Sequence, residues 1–208
     1  MRSSPLRWTR SDTVVLRVAL LVAIGATGLV TAYRLLWITV LPAAGDGRWN
    51  TITVSHPGGA PTHRAEIGDG ISVGGSGAME MTFHDPGTAQ RLLLSAPGLI
   101  AAAAALVVLV SVLRVVGSLD KGDPFVAANA RRVYSVAVAV ITVALLVPVV
   151  EAFSHARLES MALGSPVSVT FEYGSSSGAL LLAGVALVAL AEVFRRGTRL
   201  RDDVAGLV

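Results

Sequence analysis

The side chains best able to do chemistry in this chain are four histidines, His56, His63, His84 and His155, and the carboxylates Glu66, Asp69, Glu80 and Asp85. Imidazole with carboxylate could hold zinc or another divalent ion, and the histidines alone could sense pH. No two histidines share the short H-x-x-H type of spacing that a helix-borne metal site uses, so these four are metal candidates only and no metal is expected. The chain contains no cysteine, which excludes disulfides and thiolate metal sites. The glycine-rich run "GDGISVGGSG", residues 68–77, invites a phosphate-loop reading. It lacks the closing Lys-Ser/Thr and the strand-to-helix setting that such a loop needs. No Ser, His and Asp stand at a spacing usable for nucleophilic catalysis. The residues therefore predict no catalytic site, no cofactor and no enzyme.

The elements that must position these residues are dominated by apolar blocks. The 208 residues are 53% hydrophobic and 15% charged, and the mean hydropathy is +0.66. A soluble domain is about a quarter charged. Runs of roughly 18 or more apolar residues read as membrane-spanning helices. Four are predicted, at about 14–41, 92–117, 127–153 and 179–194, the last close to the shortest length that spans. A signal peptide is the rival reading of the first, given Arg2, Arg7 and Arg10 before it and "PAAG" behind it. Its apolar part is too long for a signal sequence and carries Arg34 near its end, which favours a retained helix. The expected organisation is a single membrane domain over 1–208, with outer loops at 43–91 and 154–176, an inner turn at 118–126 and an inner tail at 195–208.

Orientation follows from the basic residues. Eleven of the seventeen lie in the amino-terminal tail, the 114–132 turn and the carboxyl tail, against four (Arg48, Arg64, Arg91 and Arg157) in the two long connections. Both termini are thus expected in the cytoplasm of a multi-pass protein of the bacterial cytoplasmic (inner) membrane, a bacterial source being suggested by sixteen arginines to one lysine. The net charge of +3 belongs to this collar, and no direct nucleic-acid binding is expected.

The outer loops carry period-two patterns. "WNTITVSH", "AMEMTFH" and "PVSVTFEYG" alternate apolar and polar residues, which predicts half-buried strands pairing as a small extracytoplasmic antiparallel sheet. "MTFHDPGTAQRLLL" and "VTFEYGSSSGALLL" each lead into an apolar span. The chain therefore reads as two helix–strand–helix halves, an α-helical membrane fold with a β cap.

Charges near the spans raise narrower expectations. Glu192 stands four residues before Arg196, the favourable order for a helix-face ion pair. Arg34 either snorkels to the outer headgroups or pairs with Glu151, with Trp37 as an interfacial anchor. Ala19, Ala23, Thr27 and Thr31 recur at i+4 in the first span. Such stripes pack helices closely within one chain or across a homo-oligomer. The polar island "SLDKGDPFVAANARR" holds a helix start at Asp123-Pro124. A turn needs neither Asn129 nor the acid pair Asp120 and Asp123. With Asp202 and Asp203 in the tail, these residues are the partner-binding candidates.

"GDPFVAANARR", followed by an apolar helix, and the ending "VALAEVFRRGTRLRDDVAGLV" resemble a family of small four-helix bacterial membrane proteins, catalogued as domain of unknown function 2975. The resemblance implies no enzymatic activity. It implies genomic company, relatives being often encoded beside a very small helix-turn-helix regulator. The favoured expectation is a non-enzymatic membrane sensor or regulator that engages such a cytoplasmic DNA-binding protein. The alternatives are a small transporter, permeability or immunity-type protein, and a structural membrane module.

Overall fold

A computed structural model of the chain describes residues 10–40, 50–54, 65–66, 71–74, 79–119, 127–164, 167, 169, 171 and 174–205. In chain order these form α1 (Arg10–Thr39), β1 (Thr51–Val54), β2 (Ala65–Glu66), β3 (Ile71–Gly74), β4 (Met79–Phe83), α2 (Thr88–Leu119), α3 (Ala127–Leu163) and α4 (Ser175–Ala205). All four helices contain stretches long and apolar enough to cross a membrane: Asp12–Thr39, Thr88–Ser118, Ala128–Leu163 and Ser176–Arg199. Val15, Val22 and Leu29 on α1 and Leu182, Val185 and Val193 on α4 stand largely exposed. Water penalises such surfaces and hydrocarbon does not. The chain is a multi-pass membrane protein.

It divides into two compact units, each drawn from several stretches of chain. The first gathers 1–29, 102–143 and 179–208; the second gathers 30–101 and 144–178.

The second unit contains the sheet, antiparallel throughout, in the order β1-β4-β3-β2. Ile52 lies opposite Met81, and Ile71 opposite Phe83. The predicted alternation of β4 holds: Met81 and Phe83 are buried, Glu80 and His84 exposed. Ile52, Met81 and Phe83 form a core with Leu158 of α3, packed against Ile71, Leu93, Leu94 and Ala162. Thr51 and Thr82 share a cross-strand hydroxyl contact of 3.0 Å.

Two expectations for this unit are corrected. The third helix does not stop at Phe153 but runs to Leu163. Ser154, Leu158 and Ala162 repeat at i+4, and the first two are buried, so the polar residues between them mark an amphipathic helix rather than a loop. It ends on Gly164, whose φ of 64° suits the left-handed position just past a helix. Its N–H donates to the Ser160 carbonyl at 3.1 Å. The strand expected in "PVSVTFEYG" does not form at its described residues, Val167, Val169 and Phe171. Phe171 instead meets Phe153 edge to face, ring centroids 6.0 Å apart. Among the described residues, every strand comes from the first outer loop.

The start of α2 is built locally. Gly87 N–H donates to Gln90 Oε1 at 2.8 Å, and its carbonyl accepts from Arg91 N–H at 2.9 Å. This is a capping box with glycine at the cap. Arg91 then reaches back, its Nε donating to the Pro86 carbonyl at 2.7 Å and its Nη1 to the Trp37 carbonyl at 2.9 Å. A cation over the last carbonyls of α1 is where the helix dipole favours one. Trp37, expected at the lipid interface, is buried, with the Arg91 guanidinium 5.5 Å above its ring.

Candidate functional site

Four groups of candidate residues emerge, and the structure gives them different roles. His84 is exposed after β4 and His155 is half-buried in α3. No group of three or more His, Asp or Glu able to hold a metal occurs among the described residues. His56 and His63 lie outside those residues, as do Asp120 and Asp123.

Arg34 lies half-buried beside α2. A Cβ placed on Gly98 would overlap its guanidinium, so glycine at 98 makes the room this side chain occupies. Glu151 is exposed, and no ion pair joins it to Arg34 among the described residues.

Asn129 is 1% exposed. Its Nδ2 donates to Ser118 Oγ at 2.7 Å, and its Oδ1 accepts from Arg132 Nη1 at 2.8 Å. The same Arg132 nitrogen donates to the Arg114 carbonyl at 3.0 Å. Ser118 donates in turn to the Val115 carbonyl at 2.7 Å. The amide thus clamps the last turn of α2 to the first turns of α3, through Ser118 on one side and Arg132 on the other. A second polar contact, Ser111 to Ser135 at 3.2 Å, joins the same helices one to two turns further in. The feature that sequence reasoning left unexplained at Asn129 is a buried interhelical clamp.

The fourth group makes a groove. Ala130, Arg131 and Tyr134 of α3 and Val188, Ala191, Glu192, Arg195 and Thr198 of α4 line a cavity of about 490 Å³ in the first unit, within the usual range of ligand sites. Close approach of the two helices beside it depends on Gly184, where a Cβ would come within 2.5 Å of Ile141 Cγ1. The expected Glu192–Arg196 pair forms, Nε to Oε1 at 2.9 Å. Arg195 joins it, with Nε on Oε2 at 2.7 Å and Nη2 on Oε1 at 2.8 Å. These exposed pairs add little stability, but they fix where Arg195 points. Arg131 and Tyr134 are exposed at the mouth, with no hydrogen-bond or ion-pair partner among the described residues. The groove offers cationic and hydroxyl donors above an apolar floor.

Beyond the groove, α4 continues as helix to Ala205, past the expected end of its apolar run at 194. The expected tail is helical as far as that residue, and it carries Asp202 and Asp203. The family model described as "Protein of unknown function (DUF2975)" matches residues 76–206. No curated protein and no solved structure matches the chain. The matched stretch takes in β4, α2, α3 and α4 entire, with both walls of the groove and the Asn129 clamp, and the chain belongs to the DUF2975 family.

Proposed function

We propose that this protein is a non-enzymatic regulator in the bacterial cytoplasmic membrane, with both termini in the cytoplasm, and that the carboxyl-terminal end of α4 docks a small cytoplasmic helix-turn-helix regulator. One observation carries the reading. The apolar run of α4 ends near Phe194 in the sequence, but the helix runs on to Ala205. The sequence of that helical extension, with Arg199, Arg201, Asp202 and Asp203, carries both charge signs a partner could meet. Anchoring needs only the basic residues; the acids are surplus to it. The eleven-to-four basic asymmetry supports a cytoplasmic end of α4 and an outer sheet that would receive the stimulus.

The test is co-purification from solubilised membranes. Asp202→Ala with Asp203→Ala should lower capture of the regulator about tenfold or more, the loss expected when charges central to an interface are removed. The amount of protein in the membrane fraction should not change. Undiminished capture by the double variant would rule out this end of α4 as the docking element.

A further inference from the structure

We propose that the α3–α4 groove binds the headgroup of an anionic phospholipid, its phosphate at Arg131 and Tyr134 and an acyl chain along Ala130, Val188 and Ala191. The inference needs α3 and α4 in a membrane, and is independent of any protein partner.

Charge decides the class of ligand. Among the described residues, three guanidinium groups, Arg131, Arg195 and Arg196, stand at this end of α3 and α4, against one carboxylate, Glu192. Both oxygens of Glu192 are engaged by Arg195 and Arg196. Among the described residues, no free carboxylate therefore lines the groove to meet the cationic part of a zwitterionic headgroup. Arg195 spends Nε and Nη2 on Glu192, which leaves Nη1 to donate outward. Arg131, Tyr134 and this nitrogen are unspent donors around a cavity of about 490 Å³. A phosphodiester is the acceptor that suits them: guanidinium binds phosphate oxygens with charge-assisted bonds, and a tyrosine hydroxyl works at the membrane interface with its ring in the apolar layer. Basic pockets between spanning helices are where anionic headgroups bind. The apolar floor sets the source of the phosphate. Ala130, Val188 and Ala191 offer a soluble anion nothing, whereas an acyl chain gains from each methylene it lays there.

The experiment is native mass spectrometry of the purified full-length chain, titrated with phosphatidylglycerol or phosphatidylcholine of identical acyl chains. Phosphatidylglycerol should be retained about tenfold more strongly, the scale of one charge-assisted hydrogen bond gained or lost. Arg131→Gln with Tyr134→Phe should remove that preference and leave phosphatidylcholine retention unchanged. Val188→Trp, which fills the groove and keeps every charge, should also lower phosphatidylglycerol retention. Arg199→Gln, an exposed cation of α4 outside the groove, should not. Equal retention of the two lipids by the unaltered protein overturns the proposal whether or not any variant folds. So does an Arg199→Gln loss as large as that of Arg131→Gln, which would mean general surface attraction, or unchanged retention by Val188→Trp. Displacement of the lipid by an equal concentration of glycerol 3-phosphate would reassign the site to a soluble phosphate.

Discussion

Phe83→Ala is expected to destabilise the sheet-bearing unit by about 3–5 kcal/mol, the range for removing a buried phenyl ring from a packed core. Phe83 is 1% exposed and meets Met81, Ile52 and Leu158. These four residues come from β4, β1 and α3, so the cavity left by the ring would loosen contacts among three elements at once. The small sheet has little else to hold it, since its strands are two to five residues long and a short sheet depends on what its apolar face packs against. Amide exchange in β1, β3 and β4 should accelerate at least a hundredfold, at tenfold per 1.4 kcal/mol. Glu80→Ala is the comparison: its side chain is exposed on the opposite face of the same strand, and exchange should change by less than about threefold for a surface substitution. Similar acceleration in both variants would mean that the alternation of β4 does not carry the fold.

Gly184→Leu should have a second large effect, on the pairing of α3 with α4. A methyl alone at 184 would sit 2.5 Å from Ile141 Cγ1 and 3.3 Å from its Cδ1, with the α3 backbone nitrogen 3.5 Å away. Ile141 cannot swing aside cheaply, because a β-branched side chain in a helix has one strongly preferred χ1. Overpacking of this kind costs about 1–3 kcal/mol for small additions, and leucine adds three more carbons. Lipid supplies no hydrophobic force to press the helices back together, so close packing is what holds them. A melting curve in detergent should therefore fall for Gly184→Leu. Gly178→Leu on the same helix should stay level or rise slightly, as nothing lies within 4 Å of a Cβ there and leucine is the better helix former. Replacing Ile141 by Ala should restore part of the loss in Gly184→Ala. If it does not, the contact at Ile141 is not what the substitution breaks.

The parts of this fold that were legible in the sequence are those that local physics decides. Four long apolar runs became four helices because a span must satisfy its own backbone hydrogen bonds in lipid. β4 was legible because Met81 and Phe83 alternate with Glu80 and His84, and the Glu192–Arg196 pair because four residues make one helical turn. What depended on distant partners was not. Ile71–Gly74 sits inside a run that looks like a loop, and becomes strand only because it pairs with β4; glycine weakens any local signal for strand. "VSVTFEY" has a stronger local signal, yet its described residues form no strand. The lower hydropathy after Phe153 hid a continuing helix whose buried Leu158 packs with Ile52 of β1 and Met81 and Phe83 of β4.

The candidate site divides in the same way. Asn129 was conspicuous in type, but its partners, Ser118 and the Arg132 that also reaches Arg114, become visible only when α2 and α3 lie side by side. Arg34 and Gly98 are far apart in sequence, and nothing in either residue announces the other. Arg131 and Tyr134 become a site only opposite Glu192 and Arg195 of α4.

Docking at the end of α4 requires that end to face the cytoplasm, so the orientation of the four spans decides whether it can occur. The absence of cysteine from the chain makes the measurement direct. Gly59→Cys and Val208→Cys, introduced singly, can be probed in intact spheroplasts with a membrane-impermeant maleimide. Gly59→Cys should label at once and Val208→Cys only after permeabilisation. Labelling of both in intact spheroplasts, or of Val208→Cys alone, would contradict this orientation.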